Sequence, residues 1–139
     1  MSFREKSAWI TLVSVIACFG VYYGAVFGGL IERHSMTALH LGLGCILVLI
    51  LLQVGLTLLA AMTTPKDGMG PRDEREKMIQ ARSHTIGYYT LMVATALLFI
   101  PTHTNGVTMI DIVNFAFLGI VVSAIVVAIA QIVMFRRGY

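Results

Sequence analysis

Four stretches of this chain carry no formally charged side chain: Ala8–Ile31, Ser35 up to Lys66, Ser83–Ile110 and Ile112–Phe135. Each is at least as long as the roughly 20 helical residues that cross about 30 Å of hydrocarbon. Hydrocarbon offers the backbone no outside hydrogen-bond partner, so chain of this kind is confined to helices. None of the stretches has the polar face that a helix in a soluble domain turns to water. The expected fold is all-α and polytopic: one membrane domain over residues 1–139, a four-transmembrane-helix bundle with spans near 8–31, 37–62, 84–100 and 109–135. A cytoplasmic helical extension is expected over 71–83.

The basic residues set the expected orientation. Nine of the ten fall on one side: Arg4 and Lys6 before the first span, Lys66, Arg72, Arg75, Lys77 and Arg82 between the second and third, and Arg136 and Arg137 after the fourth. Only Arg33 falls on the other side. The excess of Lys and Arg in cytoplasmic loops makes both termini cytoplasmic, N-in/C-in. Trp9, Tyr88, Tyr89 and Phe135 lie near the same boundary, where amphipathic rings prefer to sit. The basic residues alternate with Asp73, Glu74 and Glu76, so the pattern points to lipid headgroups and not to nucleic acid. The first stretch is longer than a signal-peptide core and no small-x-small cleavage site follows it, which makes it a mature span.

Local signals refine the picture. Gly20, Gly24 and Gly28, spaced by four, line one helical face, and small residues let two backbones approach closely in lipid. Their partner is either another span of the same chain or a second copy. Glu32-Arg33-His34 is a tight loop, and Ser35 or Thr37 is placed to cap the second span. Pro65, Gly68 and Gly70 break the chain after it. Asp73, Glu74 and Glu76 then suit the positive end of a helix read as continuous from about Pro71 to Ile100. Arg72–Glu76 and Asp73–Lys77 are i,i+4 pairs on it. Thr108-x-x-Asp111 matches a capping box for the fourth span. The two hairpins share a layout, with Arg4-Glu5-Lys6 and Arg75-Glu76-Lys77 at like positions, but almost no other residue in register.

Phe3-Arg4-Glu5-Lys6-Ser7-Ala8-Trp9, together with Asp73-Glu74-Arg75-Glu76, Ile79, Arg82 and Gly87-Tyr88-Tyr89, resembles a group of small bacterial four-span membrane proteins of unknown function, similar in layout to the DUF2178-type families. The resemblance implies a bacterial inner-membrane location. It implies no reaction, substrate or catalytic residue.

Candidate chemistry is sparse. His34, His40, His103, Asp111 and Asn114 gather on the outer side, and imidazoles meeting a carboxylate can hold Zn or Cu. His40, His103 and Asp111 are the candidate ligands, although their spacing follows no known motif. Solvated interfacial histidines are the plainer alternative. Bis-histidine haem is disfavoured because His40 and His84 lie at opposite depths. No span has an ionisable group at mid-depth, which argues against an ion-coupled carrier. Gln53, Ser14, Asn114, Ser123 and Gln131 are better suited to fastening helix to helix. Cys18 and Cys45 form no Cys-x-x-Cys pair and read as buried free thiols. No Ser-His-Asp, P-loop or zincin motif is present.

The expected function is therefore non-enzymatic: a structural, regulatory or accessory component acting through helix packing at Gly20, Gly24 and Gly28. Its docking surface is Arg72, Asp73, Glu74, Arg75, Glu76 and Arg82. The partners expected are membrane lipid, a second copy, or another membrane or cytoplasmic protein. No resident cofactor is expected. The alternatives are a ligand or metal site at the outer mouth and a small transporter.

Overall fold

The computed structural model describes residues 3–32, 34–63, 73–103 and 107–137, with the backbone alone at 101 and 102. Among the described residues there are four long helices and one short one: α1 (Phe3–Phe27), α2 (Met36–Thr63), α3 (Glu74–Leu97), α4 (Phe99–Thr102) and α5 (Met109–Arg137). Of these, α1, α2 and α5 are each long and apolar enough to cross a membrane, which is the build of a membrane protein. α3 falls short on those grounds because Glu74, Arg75, Glu76, Lys77 and Arg82 occupy its first turns. Its charge-free remainder, Ser83–Leu97, rises only about 22 Å.

The helix ends follow local chemistry. α1 closes at Gly29, whose φ of 75° only glycine adopts without strain. That turn lets the Leu30 N–H reach back to the Ala25 carbonyl (3.1 Å), the closing bond of a Schellman-type stop. Ser35, and not Thr37, caps α2: its Oγ accepts the Ala38 N–H (3.2 Å) while donating to the Glu32 carbonyl (2.7 Å). The expected capping box of α5 is present and reciprocal. Thr108 Oγ1 accepts the Asp111 N–H (3.3 Å), and Asp111 Oδ2 accepts the Thr108 N–H (3.1 Å).

α3 departs from expectation at both ends. Asp73 is its N-cap, accepting the Glu74 N–H at 2.8 Å, and does not lie within the first turn. Pro71 and Arg72 lie outside the described residues. At the other end the helix stops at Leu97 and does not run on to Ile100. Pro101 stands four residues after Leu97, so it offers that carbonyl no N–H. The chain tightens instead, with the Leu98 N–H on the Thr95 carbonyl (3.1 Å), and α4 restarts beyond the break.

The main helix contacts run α2–α1–α5–α3, so the bundle is an open row with α2 and α3 at its two edges. The core lies along α1, where Val15, Cys18, Phe19, Tyr22 and Val26 form one buried stripe. Ala38 and Cys45 meet it from α2 and Val121 from α5. Phe19 and Phe117 pack edge to face with centroids 5.3 Å apart. Both cysteines are buried and unbridged. Along α2 only Ala38 and Cys45 are buried, Leu41 and Leu49 pack against the core, and Leu39, Leu43, Leu47, Leu51, Leu58 and Leu59 are exposed. In a bilayer that surface meets lipid tails at no solvation cost.

Candidate functional site

Polar side chains concentrate at the two ends of the row and in the seam between α3 and α5. At one end the α1–α2 connection meets the start of α5. Tyr22 Oη donates to Asn114 Oδ1 (2.9 Å) and Tyr23 Oη to the Asn114 carbonyl (3.2 Å). Thr108 Oγ1 spends its proton on Asp111 Oδ2 (2.8 Å), so His34, 2.9 Å away, meets that oxygen with an Nε2–H. His34 Nε2 also lies 3.7 Å from Asp111 Oδ2. A cavity of about 380 Å³ opens beside this cluster, lined by Tyr22, His34, Met36, Met109 and Asn114.

The candidate metal ligands expected from the sequence, His40, His103 and Asp111, are placed as follows. His40 is exposed on α2. His103 Nδ1 lies 2.8 Å from the Phe99 carbonyl, one turn back in its own helical segment. Asp111 is engaged by the cap and by His34. Among the described residues no three of His, Cys, Asp and Glu converge as metal ligands do. His34, from the short loop before α2, is an imidazole that reaches Asp111.

The opposite end gathers the start of α1, the start of α3 and the end of α5. Arg4 pairs with Glu76. Glu5 lies 3.5 Å from Arg136, whose guanidinium sits 5.5 Å from the centre of the Trp9 ring. The expected helix pair Arg72–Glu76 lies partly outside the described residues, and the groups of the expected Asp73–Lys77 pair have other partners. Glu76 turns inward to Arg4, Asp73 caps the helix, and Lys77 Nζ contacts Glu74 (2.6 Å). Asp73, Glu74, Arg75, Lys77 and Arg82 stay exposed, so five charged residues face outward on a helix that Glu76 ties to α1.

Close packing occurs where the sequence reading did not place it. Gly20 and Gly24 are exposed, and a Cβ added to either meets nothing within 4 Å. Gly28 lies past the end of α1, with its N–H on the Gly24 carbonyl (2.9 Å). Within the chain, therefore, the stripe is not a packing seam. The tight approach is between α3 and α5. A Cβ at Gly87 would fall 2.2 Å from Val127 Cγ2, and one at Gly119 would fall 3.0 Å from Ala94 Cβ. Ser123 Oγ donates to the Gly87 carbonyl (2.8 Å) and Gln131 Nε2 to Ser83 Oγ (3.2 Å). The available signal was a pair of small-x-x-x-small motifs, Ser83-x-x-x-Gly87 and Gly119-x-x-x-Ser123, which face each other across the seam.

Comparison with known protein families, curated proteins and solved structures finds no match.

Proposed function

We propose that this chain is a four-span protein of the bacterial inner membrane with both termini in the cytoplasm, acting as a non-enzymatic accessory component that docks a partner through the start of α3. The observation that carries this reading is the charged turn of α3. Glu76 is locked to Arg4 while Asp73, Glu74, Arg75 and Lys77 point away from the bundle. A charged helix start held at fixed orientation is a surface for electrostatic recognition, because its side chains need no backbone ordering when a partner arrives. Support for the topology comes from the ends of the row: Arg4, Glu76 and Arg136 meet at one end, the end that also carries most of the basic residues. Support for a packing role comes from Ser83, Tyr22, Tyr23, Ser123 and Gln131, whose polar atoms fasten one helix to another or hydrogen-bond within one.

The test is a photo-crosslinking amino acid introduced at Arg75 in living cells, with one at lipid-facing Leu51 as control. The reading expects a discrete adduct with a second polypeptide from Arg75 alone. Identical patterns at the two positions, or adducts at neither, would overturn it.

A further inference from the structure

We propose that the groove between α3 and α5 at their charged end is a binding site for one anionic phospholipid, with the phosphate held by Arg82 and Arg137 and an acyl chain lying along the apolar wall. The groove has a volume of about 660 Å³, within the range of about 300–1,000 Å³ usual for small-molecule sites. Its wall includes Ile86 of α3 and Val126, Ile129 and Val133 of α5. Ile86, Ile129 and Val133 are each 40–46% exposed, so the wall is open along its length.

Charge singles out the occupant. The two charged residues of the lining are both arginines, and no carboxylate is among the lining residues. Thr85, also in the lining, donates its hydroxyl to the Ala81 carbonyl of its own helix (2.9 Å). Arg82 has a contact within the chain, yet a guanidinium offers five N–H donors in a fork that matches phosphate oxygens. Basic pockets between helices at the cytoplasmic boundary suit phosphate headgroups for this reason.

Length agrees with charge. From Arg137 back to Val126 the α5 axis rises about 16 Å. One leaflet contributes about half of the roughly 30 Å hydrocarbon core. A lipid whose phosphate sits at Arg137 therefore has a wall for its acyl chain over the depth of its own leaflet. A second protein helix would fill the apolar wall as well, but it would leave two arginines facing its end without a counter-charge.

This inference rests on the reading above that α3 lies in the membrane beside α5. It is tested on purified full-length protein in detergent by titration with short-chain phosphatidylglycerol or phosphatidylcholine, read by native mass spectrometry. The expected result is one saturable phosphatidylglycerol site. Arg82→Gln and Arg137→Gln each weaken it about fivefold, and together about 25-fold, at roughly one headgroup contact per arginine. Ile129→Trp, which fills the wall, should abolish the site. Arg75→Gln should leave it unchanged. Inorganic phosphate at millimolar concentration should not compete, because it lacks the chain that the wall holds.

Equal binding of the two lipids, or phosphatidylglycerol binding indifferent to both arginine variants, would overturn the proposal. So would displacement by phosphate alone, or a concentration-dependent dimer that Ile129→Trp breaks. The titration in detergent does not depend on which way the chain faces. Labelling of Gly68→Cys in intact cells tests that separately, so failure of the orientation and failure of the lipid site are told apart.

Discussion

Replacing Gly87 by alanine adds one methyl group to a place where there is no room for it. The new Cβ would lie 2.2 Å from Val127 Cγ2, against the 3.5–4.0 Å at which two carbons attract, so α3 and α5 must part by more than about 1 Å or Val127 must turn. Turning is unfavourable, because valine in a helix is held in one χ1 rotamer about 90% of the time. Overpacking of this kind costs about 1–3 kcal/mol. The Ser123 hydrogen bond to the Gly87 carbonyl (2.8 Å) stretches with it, adding about 0.6 kcal/mol on the scale of bonds between membrane helices. Alanine gains about 0.8–1.0 kcal/mol of helix propensity over glycine. The net expectation is a loss of about 2 kcal/mol.

Gly24→Ala is the matched control. Its Cβ meets nothing within 4 Å, so only the propensity gain remains and stability should hold or rise by up to about 1 kcal/mol. Reversible unfolding in mixed micelles, followed by helical circular dichroism and by Trp9 fluorescence, reads the gap of about 2–3 kcal/mol between the two variants. Val127→Ala in the Gly87→Ala background should recover most of the loss, since contacting residues are not additive. Wild-type stability of Gly87→Ala, or a loss that Val127→Ala does not relieve, would refute the packing argument.

Other outcomes follow from the same geometry. Gly24→Leu should leave the unfolding midpoint of the protomer unchanged and lower the oligomer size in detergent, because the stripe is exposed in the single chain; unchanged size by analytical ultracentrifugation would show that the face meets only lipid. Arg4→Gln and Glu76→Gln should each destabilise by about 0.5–1 kcal/mol, and the double variant by less than their sum, because the two charges meet across α1 and α3. Tyr22→Phe removes the donor to Asn114 and should cost about 0.6 kcal/mol, at most about 1.7, in the same unfolding assay. A membrane-impermeant thiol reagent applied outside intact cells should label Asn105→Cys and miss Gly68→Cys, with little background from the buried Cys18 and Cys45; the reverse pattern would invert the topology.

The starts of α2 and α5 were legible in the sequence, Ser35 as one of two candidate caps, because capping is decided within a few residues, whereas the ends of α1 and α3 fall short of the expected ones although their causes are equally local. Ser35 finds the Ala38 N–H three residues ahead, Thr108 and Asp111 cap each other, and Gly29 supplies the φ that closes α1. The apolar stretches were equally plain, since length without charge is enough to require a membrane. Pro101 carried the early end of α3 in the same local way, through the Leu97 carbonyl four residues before it, although the apolar run continues past that point.

The sequence by itself determined that the chain is helical and built of long apolar stretches, four of them expected as spans where the structure describes three helices long and apolar enough to cross a membrane, because hydrocarbon length acts within one helix. Only the tertiary structure decided which faces meet. A helix that is apolar all round has no polar side to fix its rotation about its own axis, so the spacing of Gly20, Gly24 and Gly28 could not say whether they point into the row or out of it. They point out, and the backbones close at Gly87 and Gly119 instead. The same holds for charge: spacing along the chain does not pair Glu76 with Arg4, and only the meeting of the starts of α1 and α3 at one end of the row brings them together. Asp111 meets His34 because the tight α1–α2 loop reaches the start of α5, a distance set by how the helices pack and not by their spacing along the chain.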